Sequence, residues 1–432
     1  MTPSKSVRAV TLGRYSLGVG DRFAHEGEAQ LQAFALAARR GVDVVPVWNK
    51  SNREHEAVGS EPAGVRAAAD RAVRALDWRA PYFVDADHVT LETVERFIAP
   101  SDFFTLDVAG AIGRPPRPGA VGEFLDRHAD LIGRVDVPGV ADPLVLTREA
   151  AARTAATYLH AVAEAARIYR HVLQARDGSA FVTEVSMDET DTPQTPTELL
   201  LILAAIADAG IPVQTVAPRF SGRFNKGVDY VGDAARFERE FAADIAVLGY
   251  AVQAFGLPAG LKLSVHSGSD KFAIFPAIRR TLQATGAGVH VKTSGTTWLE
   301  EVIGLAEAGG EGLALVGDLY QAAFERREEL CAPYASVIDI DPARLPLPAE
   351  FHAWSGRQVA AAVRHDRSNP AYDDSVRQLL HVSYKIAAAM GARFTSALES
   401  CRGPIARNVT ENIYERHLVP LFLAPTIAGG AS

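Results

Sequence analysis

The stretch that decides the fold is Leu261-Lys262-Leu263-Ser264-Val265-His266-Ser267-Gly268-Ser269-Asp270-Lys271-Phe272. Its apolar residues alternate up to His266, which is the period-two pattern of a β-strand. The polar run after His266 supplies a turn and a helix N-cap, and a helix is predicted to follow. A histidine at such a junction lies at the C-terminal mouth of an α/β sheet or barrel, where these folds place their chemistry. The alternative is a core histidine bonded to a backbone carbonyl.

The same succession of strand, polar end and helix recurs along the chain. Strands are predicted at residues 42–48, 81–88, 103–108, 180–187, 212–217, 261–266 and 289–292, with a weaker eighth strand at 312–316. Helices are predicted at residues 28–40, 64–76, 90–98, 121–132, 148–174, 197–209, 233–255, 274–284 and 298–308. Eight strands alternating with helices predict an α/β fold of the (β/α)8 TIM barrel type rather than a doubly wound sheet. Gly18-Val19-Gly20-Asp21 is the nearest approach to a dinucleotide fingerprint, and we interpret it as a turn because no clear strand precedes it.

Two segments depart from this repeat. Residues 110–178 begin with a run rich in glycine, proline and arginine, and they continue into helices. After about residue 340 only helices are predicted, around 358–364, 373–390 and 408–423. We therefore predict a catalytic barrel domain over residues 1–340 with an inserted helical segment around 110–178. A helical C-terminal extension over 341–432 is predicted to pack on the barrel.

Composition excludes several classes of protein. A net charge of -8 argues against a nucleic-acid or anionic-membrane partner, because either one favours a basic surface. The two cysteines, Cys331 and Cys401, have no metal-site spacing and suggest no disulfide framework. The N-terminus lacks the apolar core of a signal peptide, and the apolar run 199–207 is shorter than the about 20 residues that span a bilayer. The sequence therefore predicts a cytoplasmic protein and gives no indication of its oligomeric state.

Three of the 12 histidines end predicted strands: His88, His266 and His290. Because the ends of barrel strands meet at one mouth, these imidazoles are candidate ligands of a single divalent metal cation. Imidazole and carboxylate ligands accept Zn, Ni, Co, Mn or Fe, so the identity of the metal stays open. Buried histidines bonded to backbone are the alternative for each one alone.

Charged residues accompany the histidines at the strand ends. Glu184 and Asp188 share one face of their strand by the period-two rule, and Glu189 joins them if the backbone turns there. A solvated acidic loop that caps the next helix is the alternative for Asp188 and Glu189. Cations at or just after strand ends suggest that the mouth binds an anion, although each one alone is equally compatible with a surface salt bridge. These cations are Lys50, Arg219, Arg223, Lys226, Lys271 and Lys292.

Four stretches, residues 45–55, 185–196, 217–230 and 265–272, resemble those of the tagaturonate epimerase family. The second reads Val-Ser-Met-Asp-Glu-Thr-Asp-Thr-Pro-Gln-Thr-Pro, and the fourth is the strand end that carries His266. The resemblance implies metal-dependent interconversion of D-tagaturonate and D-fructuronate, which are ketohexuronates. More distantly, Asp87-His88 with His266 and His290 resembles the metal-dependent class II aldolases, in which an aspartate beside a metal-binding histidine handles protons.

For this substrate pair we predict roles for the polar and charged residues of the mouth. Asp87 and Glu189 are the predicted acid–base pair of a retro-aldol epimerisation, with deprotonation and reprotonation as the alternative route. The predicted substrate contacts are Lys50, Glu184, Asp188, Gln194, Arg219, Lys226 and Lys292. The rival functions are a class II-type aldolase that releases its fragments, an isomerase of unoxidised ketoses, and a non-catalytic sugar-acid binding protein.

Overall fold

Eight parallel strands close into a barrel in the computed structural model, which describes residues 10–190 and 192–423. The barrel strands are β1 (Tyr15–Val19), β2 (Val44–Ser51), β3 (Phe83–Val89), β4 (Phe103–Asp107), β7 (Val182–Ser186), β8 (Thr215–Ala217), β9 (Lys262–His266) and β10 (Val289–Thr293). Strands β5 (Gly133–Val135) and β6 (Leu144–Leu146) form a separate antiparallel pair. Around the barrel the strand order is β1-β2-β3-β4-β7-β8-β9-β10, and β10 returns to β1. This closed sheet confirms the predicted TIM barrel.

Helices surround the barrel, and after β10 they are the only regular secondary structure of the described residues. Those before β10 are α1 (Gly27–Arg39), α2 (Asn52–Val58), α3 (Pro62–Ala75), α4 (Ala120–Arg127), α5 (Arg148–Ala175), α6 (Pro196–Asp208), α7 (Ala234–Phe255) and α8 (Phe275–Thr285). Those after it are α9 (Thr296–Ala308), α10 (Gly310–Glu325), α11 (Arg327–Cys331), α12 (Pro348–His352), α13 (Gly356–Val363), α14 (Asp374–Val382), α15 (Tyr384–Ala389), α16 (Ala392–Ser400), α17 (Arg402–Glu411) and α18 (Val419–Phe422). A π-helical segment, Asn412–Leu418, joins the last two. Among the described residues, no helix is long and apolar enough to cross a membrane, and the cytoplasmic location stays a prediction.

The predicted eighth strand at 312–316 is wrong, because these residues lie inside α10. Leu315, Val316, Leu319, Tyr320 and Ala323 are buried at helical spacing, so the apolar run is one face of a helix. The strand that completes the barrel is β1, which ends at Val19, within the segment interpreted as a turn. The helix predicted at 90–98 is only a 3-10 segment, Val94–Phe97.

The inside of the barrel changes character along the strands. A small apolar cluster of Val47, Phe83, Phe103, Val182 and Leu12 fills the N-terminal part of the interior. Because side chains that point to the same face are two residues apart, the next interior positions on four strands are Asn49, Asp85, Thr105 and Glu184, all buried. The interior is therefore apolar at the bottom and polar towards the C-terminal mouth.

Gly18 on β1 provides space for this polar layer. A Cβ atom at that position would lie 3.0 Å from Cγ of Lys292 and 3.3 Å from the side-chain oxygen of Asn49. The aliphatic part of the Lys292 side chain, which comes from β10, therefore crosses β1 at Gly18. A side chain at residue 18 would displace Lys292.

The C-terminal helices pack at the mouth end of the barrel. Trp298, on α9, donates its Nε1 hydrogen to the carbonyl of Leu380 on α14 over 2.7 Å. Lys226, in the loop after β8, donates its backbone N–H to Val337 and accepts from Gln378 of α14. The domain limits at residue 340 and around 110–178 stay predictions.

Candidate active site

A buried lysine occupies the centre of the barrel mouth. Nζ of Lys292 lies 2.7 Å from Asp85, 2.8 Å from Asp87 and 3.0 Å from Glu184, and all four side chains are at most 7% exposed. Thr105 donates its hydroxyl hydrogen to Asp85 over 3.0 Å, and Lys292 donates to the Thr105 hydroxyl oxygen. One cation thus neutralises part of the charge of three carboxylates that come from β3 and β7.

The pKa values of this cluster follow from burial and from the partners. Burial alone lowers the pKa of Lys292, but Asp85, Asp87 and Glu184 outweigh it and hold the pKa well above its usual value. Burial raises the pKa of Asp85, whereas for Asp87 it is outweighed by Lys292 and His88, which lower the pKa. A lysine that forms a Schiff base needs a lowered pKa, because only the neutral amine is a nucleophile. The raised pKa of Lys292 instead makes it a cation that its three carboxylate partners hold in place.

Three side chains form a group whose ligand atoms lie within 4.8 Å of one another: His88, Asp188 and His266. Nδ1 of His266 is 3.1 Å from Oδ1 of Asp188, and the two imidazole rings are 5.1 Å apart at an angle of 76°. Two imidazoles and a carboxylate are a donor set that first-row divalent metals accept. These residues therefore fit the predicted cation.

The hydrogen bond at the other ring nitrogen of His266 also suits a metal ligand. Its Nε2 lies 2.8 Å from Oε1 of Glu184. Burial raises the pKa of Glu184, but Lys292 and His266 outweigh it and hold the pKa well below its usual value. The ionised carboxylate accepts the Nε2 hydrogen, so Nδ1, 3.1 Å from Asp188, is the ring nitrogen that a metal would take. Metal-ligating histidines usually have such a carboxylate partner, because it fixes the tautomer and the ring orientation.

A bulge in β3 directs His88 into the mouth. The pairing between β3 and β4 shifts in register between Ala86 and Val89, and His88 has a φ of +52°. On a regular strand, Asp87 and His88 would point to opposite faces. The bulge and the left-handed backbone instead leave both near the interior, with Nε2 of His88 3.9 Å from Asp87 and Nδ1 3.6 Å from Asp107. Such backbone strain clusters at functional sites.

The electrostatic field at His88 and His266 favours positive charge. Burial lowers the pKa of His88, but Asp87, Asp107 and Asp188 outweigh it and raise the pKa to about 10. For His266, Asp188 and Glu184 likewise overcome burial and raise the pKa to about 9. The carboxylates that favour a proton on these rings also favour a bound metal cation.

His290 is not brought together with the other two histidines. In the pairing of β10 with β9, Lys292 lies beside His266, whereas His290 lies beside Ser264, two residues deeper. Its Nδ1 is 2.9 Å from the Ser16 hydroxyl, and its ring faces Phe103. Burial lowers the pKa of His290 to about 3. Two strand residues span about 6.6 Å, so His290 lies too deep in the barrel to join His88 and His266. Within the described residues, Asp188 is the third member of the group.

The other predicted residues divide between the mouth and its surroundings. Glu189 is 43% exposed on the rim, where it pairs with Arg53 at 2.8 Å. Lys50 points outside the barrel interior and donates to the carbonyl of Arg22 and to Ser60. Gln194 accepts the backbone N–H of Arg219, and Arg219 donates to the carbonyl of Asp188. These two residues therefore hold the loop that carries Asp188.

Sequence reasoning missed four polar residues of the site: Asp85, Thr105, Asp107 and Thr215. Thr215 donates to Glu184 over 2.7 Å, and Asp85 shares its face of β3 with Asp87. The period-two rule applied to β3 and β4 would have selected Asp85, Thr105 and Asp107, because each lies two residues from another interior position. Thr215 carries no comparable signal.

Comparisons with known proteins agree with this architecture. A family model described as tagaturonate epimerase matches residues 137–395, more than half of the 432-residue chain. A curated tagaturonate/fructuronate epimerase from Thermotoga maritima is 33% identical over 243 residues, which are 55% of this chain and 44% of that protein. The chain thus matches less than half the length of this relative.

Solved structures extend the likeness to almost the whole chain. A glycerol-complexed and a native crystal structure of fructuronate-tagaturonate epimerase from Cohnella laeviribosi have TM-scores of 0.79 and 0.78. Both are 26% identical in sequence, and both alignments cover 96% of this chain and 82% of those chains. The family match itself includes Glu184, Asp188, His266 and Lys292. The chain belongs to the tagaturonate epimerase family.

Proposed function

We propose that this protein interconverts D-tagaturonate and D-fructuronate with a divalent metal held by His88, Asp188 and His266. The observation that carries the proposal is the approach of these three side chains within 4.8 Å, next to the buried Lys292–Asp87 pair. A divalent cation at this group would supply Lewis-acid chemistry to a ketone oxygen and its neighbouring hydroxyl. Asp107 and Glu184 orient the two imidazoles from outside the group.

We further propose a retro-aldol route, because the two sugar acids differ at a carbon that simple enolisation next to the ketone does not reach. A base removes the hydroxyl proton at the inverting carbon, and the bond from this carbon to its neighbour on the ketone side breaks. The electron pair of that bond stays on the ketone fragment as an enediolate. The aldehyde fragment rotates, and the bond forms again on its other face.

Asp87 is the proposed base. It is nearly buried, it is ionised because its pKa is lowered, and it adjoins both His88 and the protonated Lys292. Glu189 on the rim is the proposed counterpart that returns the proton. Acid–base groups of this kind contribute about 100- to 10,000-fold to the rate. Asp87→Asn and Glu189→Gln are each expected to lower kcat by at least about 100-fold.

An assay of purified protein tests the function directly. We expect conversion of tagaturonate to fructuronate, its loss on chelation, and its recovery when one of Zn, Ni, Co, Mn or Fe is added back. Absence of conversion with every metal would contradict the proposal, and free three-carbon products would indicate an aldolase instead. Turnover in heavy water separates the routes, because deuterium at the inverted carbon would exclude the retro-aldol path.

A further inference from the structure

Two cations at the mouth have fewer acidic partners than the buried lysine. Lys226 is half-buried in the loop after β8, and no carboxylate within residues 10–190 and 192–423 pairs with its Nζ. This Nζ lies 5.7 Å from the centre of the Tyr334 ring. Arg22 follows β1, pairs through Nε with Glu54 at 3.1 Å, and lies over the Tyr384 ring at 4.1 Å. Its Nη1 is buried without a hydrogen-bond partner among the described residues.

A histidine from the C-terminal helices completes this cluster. His381, on α14, is 3% exposed, and neither ring nitrogen has a hydrogen-bond partner among the described residues. A Cβ atom on Gly227 would lie 3.1 Å from His381, and one on Gly295 would lie 2.4 Å from its Nε2. The ring therefore reaches between the loops that follow β8 and β10, and these loops can accommodate it because both positions are glycine.

The surroundings of His381 are cationic. Burial, and then Arg22, Lys226, Arg377 and Lys271, hold the pKa of His381 well below its usual value. The imidazole is therefore neutral and offers one N–H donor. A buried donor beside Lys226, for which the described residues offer no acidic partner, and beside the unpaired Nη1 of Arg22 is satisfied best by an anion, because unpaired buried polar groups cost free energy.

The cationic cluster of Arg22, Lys226 and His381 lies on a different part of the barrel mouth from the candidate metal group. That group consists of His88, Asp188 and His266. His88 and Asp188 belong to β3 and the end of β7, whereas Arg22, Lys226 and His381 belong to the loops after β1 and β8 and to α14. The segment after β9 links the two, because His266 is in the metal group and the Cβ position of Gly268 is 3.9 Å from Nζ of Lys226. An elongated ligand with one chelating end and one anionic end matches this arrangement.

We propose that Arg22, Lys226 and His381 bind the carboxylate of the sugar acid, an inference that rests on the proposed function. The ketone end then points towards His88, Asp188 and His266. The sequence also suggested Lys292, Lys50 and Arg219 as cations that bind the anion. Each already has partners in the protein: Lys292 contacts three carboxylates, Lys50 donates to the carbonyl of Arg22, and Arg219 donates to the carbonyl of Asp188. The C-terminal helices thus contribute to substrate recognition as well as to the fold.

Substitution of Lys226 tests the assignment, because this residue is half-buried in a loop. We expect Lys226→Met to weaken tagaturonate binding by about 10- to 100-fold, since a hydrogen bond to a charged group contributes about 1.5–3 kcal/mol. Binding is measured by calorimetry on the metal-loaded protein. Uncharged D-tagatose, which lacks the carboxylate, should bind both forms alike. His381→Asn is a second variant, expected to weaken tagaturonate binding without changing metal affinity.

Arg223→Met is the matched control, because Arg223 lies on the same loop and pairs with Asp339 on the surface. Unchanged tagaturonate binding in both Lys226→Met and His381→Asn would overturn the inference, and so would an equal loss in Arg223→Met. Equal losses for tagaturonate and tagatose would also overturn it, because the cluster would then not act on the carboxylate. If wild type binds tagaturonate but converts none, the proposed function fails while the carboxylate site stands.

Discussion

At the scale of single residues, the mouth is organised by carboxylates that face cations from other strands. Glu184 contacts Lys292, His266 and Thr215 at once, so it links the buried lysine to the candidate metal group. Asp188, four residues further along and just beyond the end of β7, approaches the other ring nitrogen of His266. The two carboxylates therefore lie on either side of one imidazole.

Asp188→Asn should abolish tight metal binding. An amide carries no negative charge, and loss of an outer partner of a ligand already costs about 10- to 100-fold in affinity, so we expect a loss of at least about 100-fold. Zinc titration with a competing chelator measures it. Glu189→Gln is the control, because this adjacent side chain pairs with Arg53 outside the group. If both variants bound zinc like wild type, Asp188 would not be a ligand.

Glu26→Gln should change the pH dependence of stability. Burial and then Asp21 raise the pKa of Glu26 to about 8, from 4.5. Between pH 4.5 and 8 the unfolded chain ionises this group while the folded chain keeps it protonated, so wild type loses stability as pH rises. The loss relative to Glu26→Gln should reach at most about 1.4 kcal/mol per pH unit and vanish below pH 4.5.

Urea unfolding at several pH values measures this difference in the free energy of unfolding. Glu28→Gln is the control, since Glu28 is 44% exposed and pairs with Arg402 on the surface. A difference between Glu26→Gln and wild type that does not change with pH would show that Glu26 is ionised in the folded protein throughout this range.

At the scale of elements, a buried ion pair joins the barrel to the C-terminal helices. Asp270, in the loop after β9, contacts Arg377 of α14 at 2.7 Å and accepts from Thr296 over 3.1 Å. His365 and His417 approach the same carboxylate within 3.3 and 3.5 Å. Arg377 is fully buried and also donates to the carbonyls of Gly227 and Val363.

Arg377→Met should lower the free energy of unfolding by about 3–5 kcal/mol, because it leaves Asp270 buried without its guanidinium. The double variant with Asp270→Asn should cost less than the sum of the single changes, with a coupling of about 0.5–3 kcal/mol. Urea unfolding measures the cycle. Arg393→Met is the control, because its pair with Asp318 is exposed and contributes about 1 kcal/mol or less. Strictly additive losses of unfolding free energy would show that Asp270 and Arg377 do not stabilise each other.

The sequence predicted elements well where the apolar pattern was strong. Strand β9 and the helices that became α5, α6 and α7 were close to their observed limits. Strand β1 was missed because its interior residues are Ser16 and Gly18, which carry no strand signal and are small because Lys292 crosses there. The inward turn of His88 depends on a bulge that two strands make together, which one strand's sequence does not indicate.

At the scale of the whole molecule, the mouth combines two charge environments from distant parts of the chain. The candidate metal group of His88, Asp188 and His266 comes from β3, β9 and the loop after β7, whereas His381 comes from a helix after β10. The sequence pointed to His88, His266 and Lys292 at strand ends, but it did not indicate which charged groups are already neutralised. That distinction depends on packing, because Lys292 on β10 faces three carboxylates, whereas Lys226 in the loop after β8 has no acidic partner among the described residues.

Metal binding should therefore stabilise the entire fold. His88, Asp188 and His266 are far apart in the sequence, so the unfolded chain has no site and the metal binds only the native state. Free zinc at 100 times its Kd should then add about 2.7 kcal/mol to the free energy of unfolding. Urea unfolding with titrated zinc measures the gain, which Asp188→Asn should lose. Arg377→Met should keep it, because that change lies outside the ligand group; an equal gain in Asp188→Asn would mean that zinc binds elsewhere.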